Sequence, residues 1–558
     1  MFDNKENTLN DDDNSNYYIA AFIDGEASTT FPTTKDYIAD VTCKKGSAEV
    51  NIGAKVAWTG TKWKLSVDDA SVSDVACNIR FVTKPTWSSP GTGTLLAAIK
   101  KDNTVTETLT QPGIESSAHT LDDVPVQTAS VSSTYQAYYI TYGTGWEANG
   151  TKFNLTGTAV TSDTYAKSYS SLVGKYLVNK LVSDAGSSTA GTMKTTTNLS
   201  SVYYVVSATQ NSFTYKVVSS NKNTTESLLA STEDDYGTSY YFRGAVTNNF
   251  VEYANMCWRI VRITGNGAIK LVLYNYNGLT DENNTPSSST PCNVTGNDLA
   301  FARYEGDTYT SAFNSLRWND NASVGFMYGT AGASSYAAAH ANTNPSTILT
   351  NLNKWYTNVL SKQPGFNDNQ LADTIWCNDK SVVTDTTFNP FNYTLGTNYG
   401  YAKNINYYSA SKRLVQASSG SAGGTGPSLI CPNDNNGGKL SKFTVSDTEY
   451  GNGALSGYAK VGLLTADEIA FAGSAYKKPN LTYYIYGNAN DYWWALSPEV
   501  FDGHGAFVWG VSGNDQGFDS TFVFNDYYWM RPSLSLVAST KIISGSGTVS
   551  NPYRIAMQ

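Results

Sequence analysis

Charge is scarce in this chain. Only 15% of its 558 residues are Asp, Glu, Lys or Arg, against about 25% in ordinary globular domains. Histidine is scarcer still: His119, His340 and His504 are the only three, and none lies near a cysteine in sequence. The six cysteines form no Cys-x-x-Cys pair, so the close spacing of a zinc site is missing. No G-x-S-x-G, H-E-x-x-H or phosphate-cradling glycine loop occurs. These gaps argue against metal, nucleophilic and nucleotide chemistry, and the expectation is a protein that is not an enzyme and carries no cofactor and no metal. No apolar run approaches the roughly 18–20 residues that cross a bilayer as a helix. The net charge of −9 and pI near 5.0 give a surface that repels phosphate backbones and anionic lipid heads, so nucleic acid is not an expected partner. A signal peptide is also missing: Met1 is followed by an acidic, Asn-rich tract, and the expectation is an anchor encoded upstream or trimmed away.

What fills the space left by charge is Ser, Thr, Asn, Gly and Tyr. Thirty-nine tyrosines and recurrent Thr and Val favour strands over helices. An even, widely spaced set of cysteines fits disulfides formed in an oxidising compartment. Pairing sequence neighbours, Cys43 with Cys77, Cys257 with Cys292 and Cys377 with Cys431, keeps each bridge inside one proposed domain and is the favoured arrangement. Six reduced core cysteines are the alternative.

The expected fold class is multidomain: N-terminal β-sandwich-like modules followed by an α+β domain. Residues 1–16 read as a disordered acidic tail and 17–84 as a small Ig-like β domain of short strands separated by Gly, Asp, Ser and Thr turns. Residues 85–94 (PTWSSPGTGT at 85–94) read as a linker, and 95–230 as a β-rich middle module with a hairpin of 202–210 and 213–218. The last domain, 231–558, carries two helix signals. Ser346 is a credible N-cap for a helix that puts Ile348, Leu352, Trp355 and Val359 on one face. Thr465-x-x-Glu468 is a capping box, closed by Gly473, and Asp467–Glu468 there read as dipole-favoured caps rather than as an acid/base pair.

One window stands out. From Tyr483 to Trp529, 15 of 47 residues are aromatic, against 13% overall, with six acidic residues and no Lys or Arg. Rigid aromatics spaced by Gly, Ser, Asn and Asp resemble an antibody paratope, where rings supply contact area at low entropy cost. An aromatic core under loops is the rival reading.

The segments 238–278, GLLTADEIAFAG (462–473), WWALSP (493–498), AFVWGV (506–511), MRPSLSLVAST (530–540) and GSGTVSNPYRI (545–555) resemble one family: bacterial surface proteins ending in a C-type-lectin-fold domain related to formylglycine-generating enzymes, including variable proteins diversified by retroelements. IAAFIDGEASTTFP (19–32) resembles the opening of such proteins, where a membrane anchor precedes it. The resemblance implies a C-type-lectin fold for 231–558 and a ligand surface just ahead of the strand that begins at Arg531. It implies ligand-binding roles for Asp502, His504, Phe507, Ser512, Asn514, Asp515, Phe518, Asp519, Phe522, Phe524, Asn525, Tyr527 and Tyr528, residue types that adenine-directed mutagenesis makes from Asn codons. The E-P-N and W-N-D sugar motifs are absent, so calcium-dependent glycan binding does not carry over. Neither does formylglycine-generating activity, because the cysteines sit in no matching motif. The implied function is an extracellular receptor or adhesin, anchored at a bacterial surface, for a protein or glycan on another cell, a phage or a host. A structural envelope or pilus-like protein is the alternative. On the receptor reading, truncating Phe522, Tyr527 or Tyr528 leaves melting unchanged.

Overall fold

The computed structural model describes residues 6–8, 17–69, 71–108, 126–130, 139–140, 145–149, 152–156, 173–174, 176–178, 202–209, 212–218, 227–333, 335–383, 406–416, 421–422, 424–432, 440–445, 453–476, 480–502, 505–513 and 516–556. The chain divides into two compact units, Met1–Ala97 and Ala98–Gln558. It is β-rich, with five α-helices among the described residues.

In the first unit a five-stranded sheet runs in the order Glu26–Ser28, Tyr17–Ile23, Val75–Thr83, Tyr37–Lys45, Ala48–Glu49. A three-stranded sheet of Glu6–Thr8, Trp63–Ser66 and Lys55–Trp58 accompanies it. Val75–Thr83 shows why: Val75, Cys77, Ile79 and Phe81 are fully buried while the residues between them are exposed, the two-residue period of a strand with one face on a core. Leu65, Trp63 and Ile52 pack into the same core. Cys43 and Cys77 are direct cross-strand partners and are bridged. The expected tail at 1–16 needs one correction. Glu6–Thr8 pairs with Lys64–Ser66, because the Trp63–Ser66 strand otherwise leaves one edge open.

The second unit is built on a ten-stranded sheet whose main path runs Val461–Gly462, Ser533–Leu536, Ile269–Asn275, Met256–Ile263, Gly237–Gly244, Ser227–Asp234, Val105–Thr108. The central strands Met256–Ile263 and Ile269–Asn275 are buried along their whole length, as strands covered on both faces must be. The boundary expected at 230/231 falls inside the strand Ser227–Asp234, which pairs with both Val105–Thr108 and Gly237–Gly244. The cause is non-local: a parallel partner more than a hundred residues upstream leaves no trace in local composition. The expected hairpin forms from Val202–Ala208 and Ser212–Val218. Both helix signals hold. Ser346 accepts from the Leu349 amide at the start of Thr347–Asn358, and the capping box of Thr465 and Glu468 opens Ala466–Ala472, with Gly473 ending it at φ 131.

The remaining bridges are Cys257–Cys292 and Cys377–Cys431. With all six cysteines paired, the chain has the chemistry of an extracellular or secreted protein. Among the described residues, no helix is long and apolar enough to cross a membrane.

Candidate ligand-binding face

The aromatic window folds into an antiparallel sheet of Asn406–Tyr407, Trp493–Phe501, Ala506–Val511 and Phe518–Phe522. Trp493, Trp494, Leu496, Val508, Trp509 and Val511 are fully buried, and since neighbours in a strand point to opposite faces, the sheet's two central strands are covered on both sides. Gly510 is required there, since a Cβ would lie 2.5 Å from a Tyr528 ring carbon and 3.0 Å from the Trp493 carbonyl. The register sets Phe507 opposite Phe522 and Val511 opposite Phe518.

Past Phe522 the chain turns. The Val523 amide donates to the Ala506 carbonyl (3.0 Å) and the Asn525 amide to that of Phe522 (3.0 Å), which fixes the turn. Asn525 reaches the Thr521 hydroxyl and, at 3.2 Å, that of Tyr527. With the backbone held, Phe524 and Tyr527 project outward, 45% and 53% exposed. Phe524 joins a cluster: Phe507–Phe522 ring centroids are 4.1 Å apart and Phe522–Phe524 5.6 Å, while Tyr527 sits against Tyr492 and Tyr528. Trp318, 45% exposed, closes it with centroids 5.9 Å from Phe522 and 6.2 Å from Phe524. Trp318 lies far upstream in sequence, and the Ala506 amide donating to its carbonyl (2.6 Å) brings it here.

The thirteen residues named from sequence thus divide. Phe522 and Phe507 are half-buried, Phe524 and Tyr527 exposed, and Ser512, Asp519 and Asn525 partly exposed. Phe518, Tyr528 and Asp502 are buried, at 1%, 2% and 3%. Phe518 packs on Trp509 and Tyr528 on Trp494, while the Asp502 carboxylate accepts from the Gly505 amide (2.7 Å) to tie its loop. These three serve the scaffold, so the expectation that truncating Tyr528 leaves melting unchanged is corrected by its position. His504, Asn514 and Asp515 lie outside the described residues. Burial raises the Tyr528 hydroxyl well above the usual phenol range, and Asp519 adds to it, so this ring stays neutral.

Asp467 and Glu468 do more than cap. Glu468 meets Lys270 (2.7 Å) and Arg262 (2.9 Å), and Arg262 also meets Asp234 (2.6 Å). Asp467 takes Arg413 in two bonds, 2.6 and 2.8 Å, while Arg413 reaches Asp379 at 2.9 Å. Burial alone would raise the Glu468 carboxyl, but the Lys270 and Arg262 charges outweigh it and hold the group down at about 2. Only about 20 Å³ of open space remains among these groups, little more than one water. Their charges are mutually paired, and the network ties the helix Ala466–Ala472 to the large sheet. Nothing in the sequence beyond the capping box signals it, because Glu468 on its helix meets Arg262 and Lys270 on strands about two hundred residues upstream. Among the described residues, no three His, Cys, Asp or Glu side chains are grouped to hold a metal ion.

The fold and face together define a disulfide-bonded, β-rich protein with clustered surface aromatics. No family model, curated protein or solved structure matches the chain.

Proposed function

We propose that this chain is an extracellular surface receptor or adhesin whose 231–558 region has a C-type-lectin fold and binds a protein or glycan through the face of Trp318, Phe507, Phe522, Phe524 and Tyr527. The observation that carries the reading is the contrast along a few residues of chain. Tyr528 and Trp509 anchor the sheet, while Phe524 and Tyr527 stand in solvent on a hydrogen-bonded turn. Large exposed rings in a cluster cost solubility and mark interaction sites. Aromatic side chains are enriched at interfaces, with Trp and Tyr prominent among hot spots. The resemblance of 493–498, 506–511 and 530–540 to lectin-fold surface proteins supports the fold assignment, and the parallel pairing of Phe250–Tyr253 with Tyr553–Ile555, which closes the region's two ends on each other, is compatible with it. Asp519 and Asp526 beside the rings, with no Lys or Arg between Tyr483 and Trp529, favour a neutral or basic ligand surface.

The reading is tested on glycan and bacterial surface-protein arrays with the native chain and a Phe524→Ser/Tyr527→Ser variant of equal melting temperature. Hits that disappear in the variant support it. An identical hit pattern for both chains refutes it. Retroelement diversification is a separate part of the proposal, tested in the genome: a near-copy of the coding stretch for 493–532, differing only at adenines and adjacent to a reverse transcriptase gene, supports it.

A further inference from the structure

The aromatic-rich window has a second end, far in character from the first. Tyr483, Tyr484 and Tyr486 do not join the exposed rings. With Tyr274, they line an open cavity of about 440 Å³ that Thr247 and Arg259 complete. That volume falls in the range of small-ligand sites, about 300–1,000 Å³.

Arg259 is an unusual group to find there. It is 4% exposed, and its guanidinium stacks on Phe250 with Cζ 3.7 Å from the ring centroid. Nε donates to Asn249 Oδ1 (2.7 Å) and Nη2 to the Val246 carbonyl (2.6 Å). Both acceptors are neutral, and among the described residues Nη1 has no protein acceptor. Behind it lies a second guanidinium in the same condition. Arg531 is fully buried, donates to the carbonyls of Leu273 (3.0 Å) and Ile485 (2.9 Å), and keeps Nη2 without a partner. Elsewhere in this unit Arg262, Lys270 and Arg413 have carboxylates at 2.6–2.9 Å, while Lys380 and Arg303 are buried against neutral oxygens and, among the described residues, face no cavity of this size. Arg259 and Arg531 have no carboxylate among the described residues. Burial pushes both guanidiniums below their usual range, and Arg531 adds repulsion at Arg259. An anion at the cavity would relieve that cost.

The walls narrow the choice of anion. They offer the half-buried ring of Tyr486 and the exposed Thr247 hydroxyl, set over the buried rings of Tyr274, Tyr483 and Tyr484. A fatty acid chain would cover the Thr247 hydroxyl without bonding it. A pyranose ring matches Tyr486 and Thr247, since its C–H face packs on an aromatic ring and its hydroxyls exchange hydrogen bonds.

We propose that this cleft is a second ligand site, distinct from the exposed aromatic face, and that it takes a carboxylated hexopyranose with its carboxylate on Arg259 and its ring against Tyr486. The test is ligand-observed NMR titration of the full chain with methyl β-D-glucuronide, methyl β-D-glucoside, sodium acetate and N-acetylalanine. The glucuronide is expected to bind, with the glucoside and acetate each weaker by at least about tenfold, since one carries no charge and the other no ring. Arg259→Gln should abolish the preference for the glucuronide over the glucoside. Because that change strips hydrogen bonds from Asn249 and Val246 and can unfold the domain, Thr247→Trp at the rim and Tyr486→Ala are measured beside it. Both should weaken the glucuronide by about tenfold or more with melting unchanged. No glucuronide binding to the native chain, equal binding of glucoside and glucuronide, or glucuronide binding unchanged in both rim variants each overturns the proposal. Tighter binding of N-acetylalanine than of the glucuronide overturns the sugar assignment and makes the cleft a peptide-carboxylate site.

Discussion

Tyr527 and Tyr528 are adjacent, chemically identical and opposite in consequence, so replacing each by Ala separates scaffold from surface within one turn. Tyr528 is 2% exposed. Its ring lies 4.5 Å from that of Trp494 and 5.4 Å from that of Tyr492, and it is pressed against the bare backbone of Gly510. Gly510 has no side chain to move into the space that Tyr528→Ala leaves, and the Trp494 indole is fixed by its bond to the Ser311 carbonyl (2.6 Å). The cavity therefore stays open, and the loss falls in the range of buried aromatic truncations, about 3–5 kcal/mol. The backbone contribution at this residue survives, since it is the Tyr528 carbonyl that accepts from the Ser311 amide. Tyr527 is 53% exposed, its ring meets those of Tyr492 and Tyr528 at 6.4 and 5.2 Å, and its hydroxyl accepts one solvent-exposed bond from Asn525 (3.2 Å). Tyr527→Ala should therefore change stability by about 0.5 kcal/mol or less. Urea unfolding followed by tryptophan fluorescence reads the difference, because Trp493, Trp494, Trp509 and Trp529 all belong to or flank this sheet. Equal midpoints for the two variants would refute the division of the window into core and face.

Leu534 is fully buried in the strand between Ile269–Asn275 and Val461–Gly462, so Leu534→Ala should cost about 2–5 kcal/mol in the same urea assay. Glu468 has a folded pKa of about 2 against an ordinary 4.5, so the stability it contributes is complete above about 4.5 and lost as pH falls toward 2. Glu468→Gln should flatten that acid limb and cost about 3–5 kcal/mol at neutral pH by leaving Arg262 and Lys270 without their partner; an unchanged acid limb would contradict the network. Alkylation without reductant should label no cysteine, and Cys43→Ser/Cys77→Ser should cost the first unit about 2–5 kcal/mol by denaturant unfolding.

Sequence by itself determined the features whose causes are local. The two-residue alternation of Val75–Thr83, the caps at Ser346 and Thr465, the stop at Gly473 and the hairpin around 210 each follow from side chains a few positions apart. The neighbour pairing of the cysteines was legible too, because short loops keep each bridge within one folded region. The aromatic window was visible as a density, but density has no direction. Only tertiary packing decided that Phe518 and Tyr528 turn inward, that Phe524 and Tyr527 turn outward, and that Tyr483, Tyr484 and Tyr486 wall a separate cleft. Tertiary structure also brought Trp318 to the face, paired Glu468 with Lys270, and left Arg259 and Arg531 without carboxylates. Each of these depends on residues dozens to hundreds of positions apart meeting across strands, and a strand's own sequence does not record which neighbour it will have.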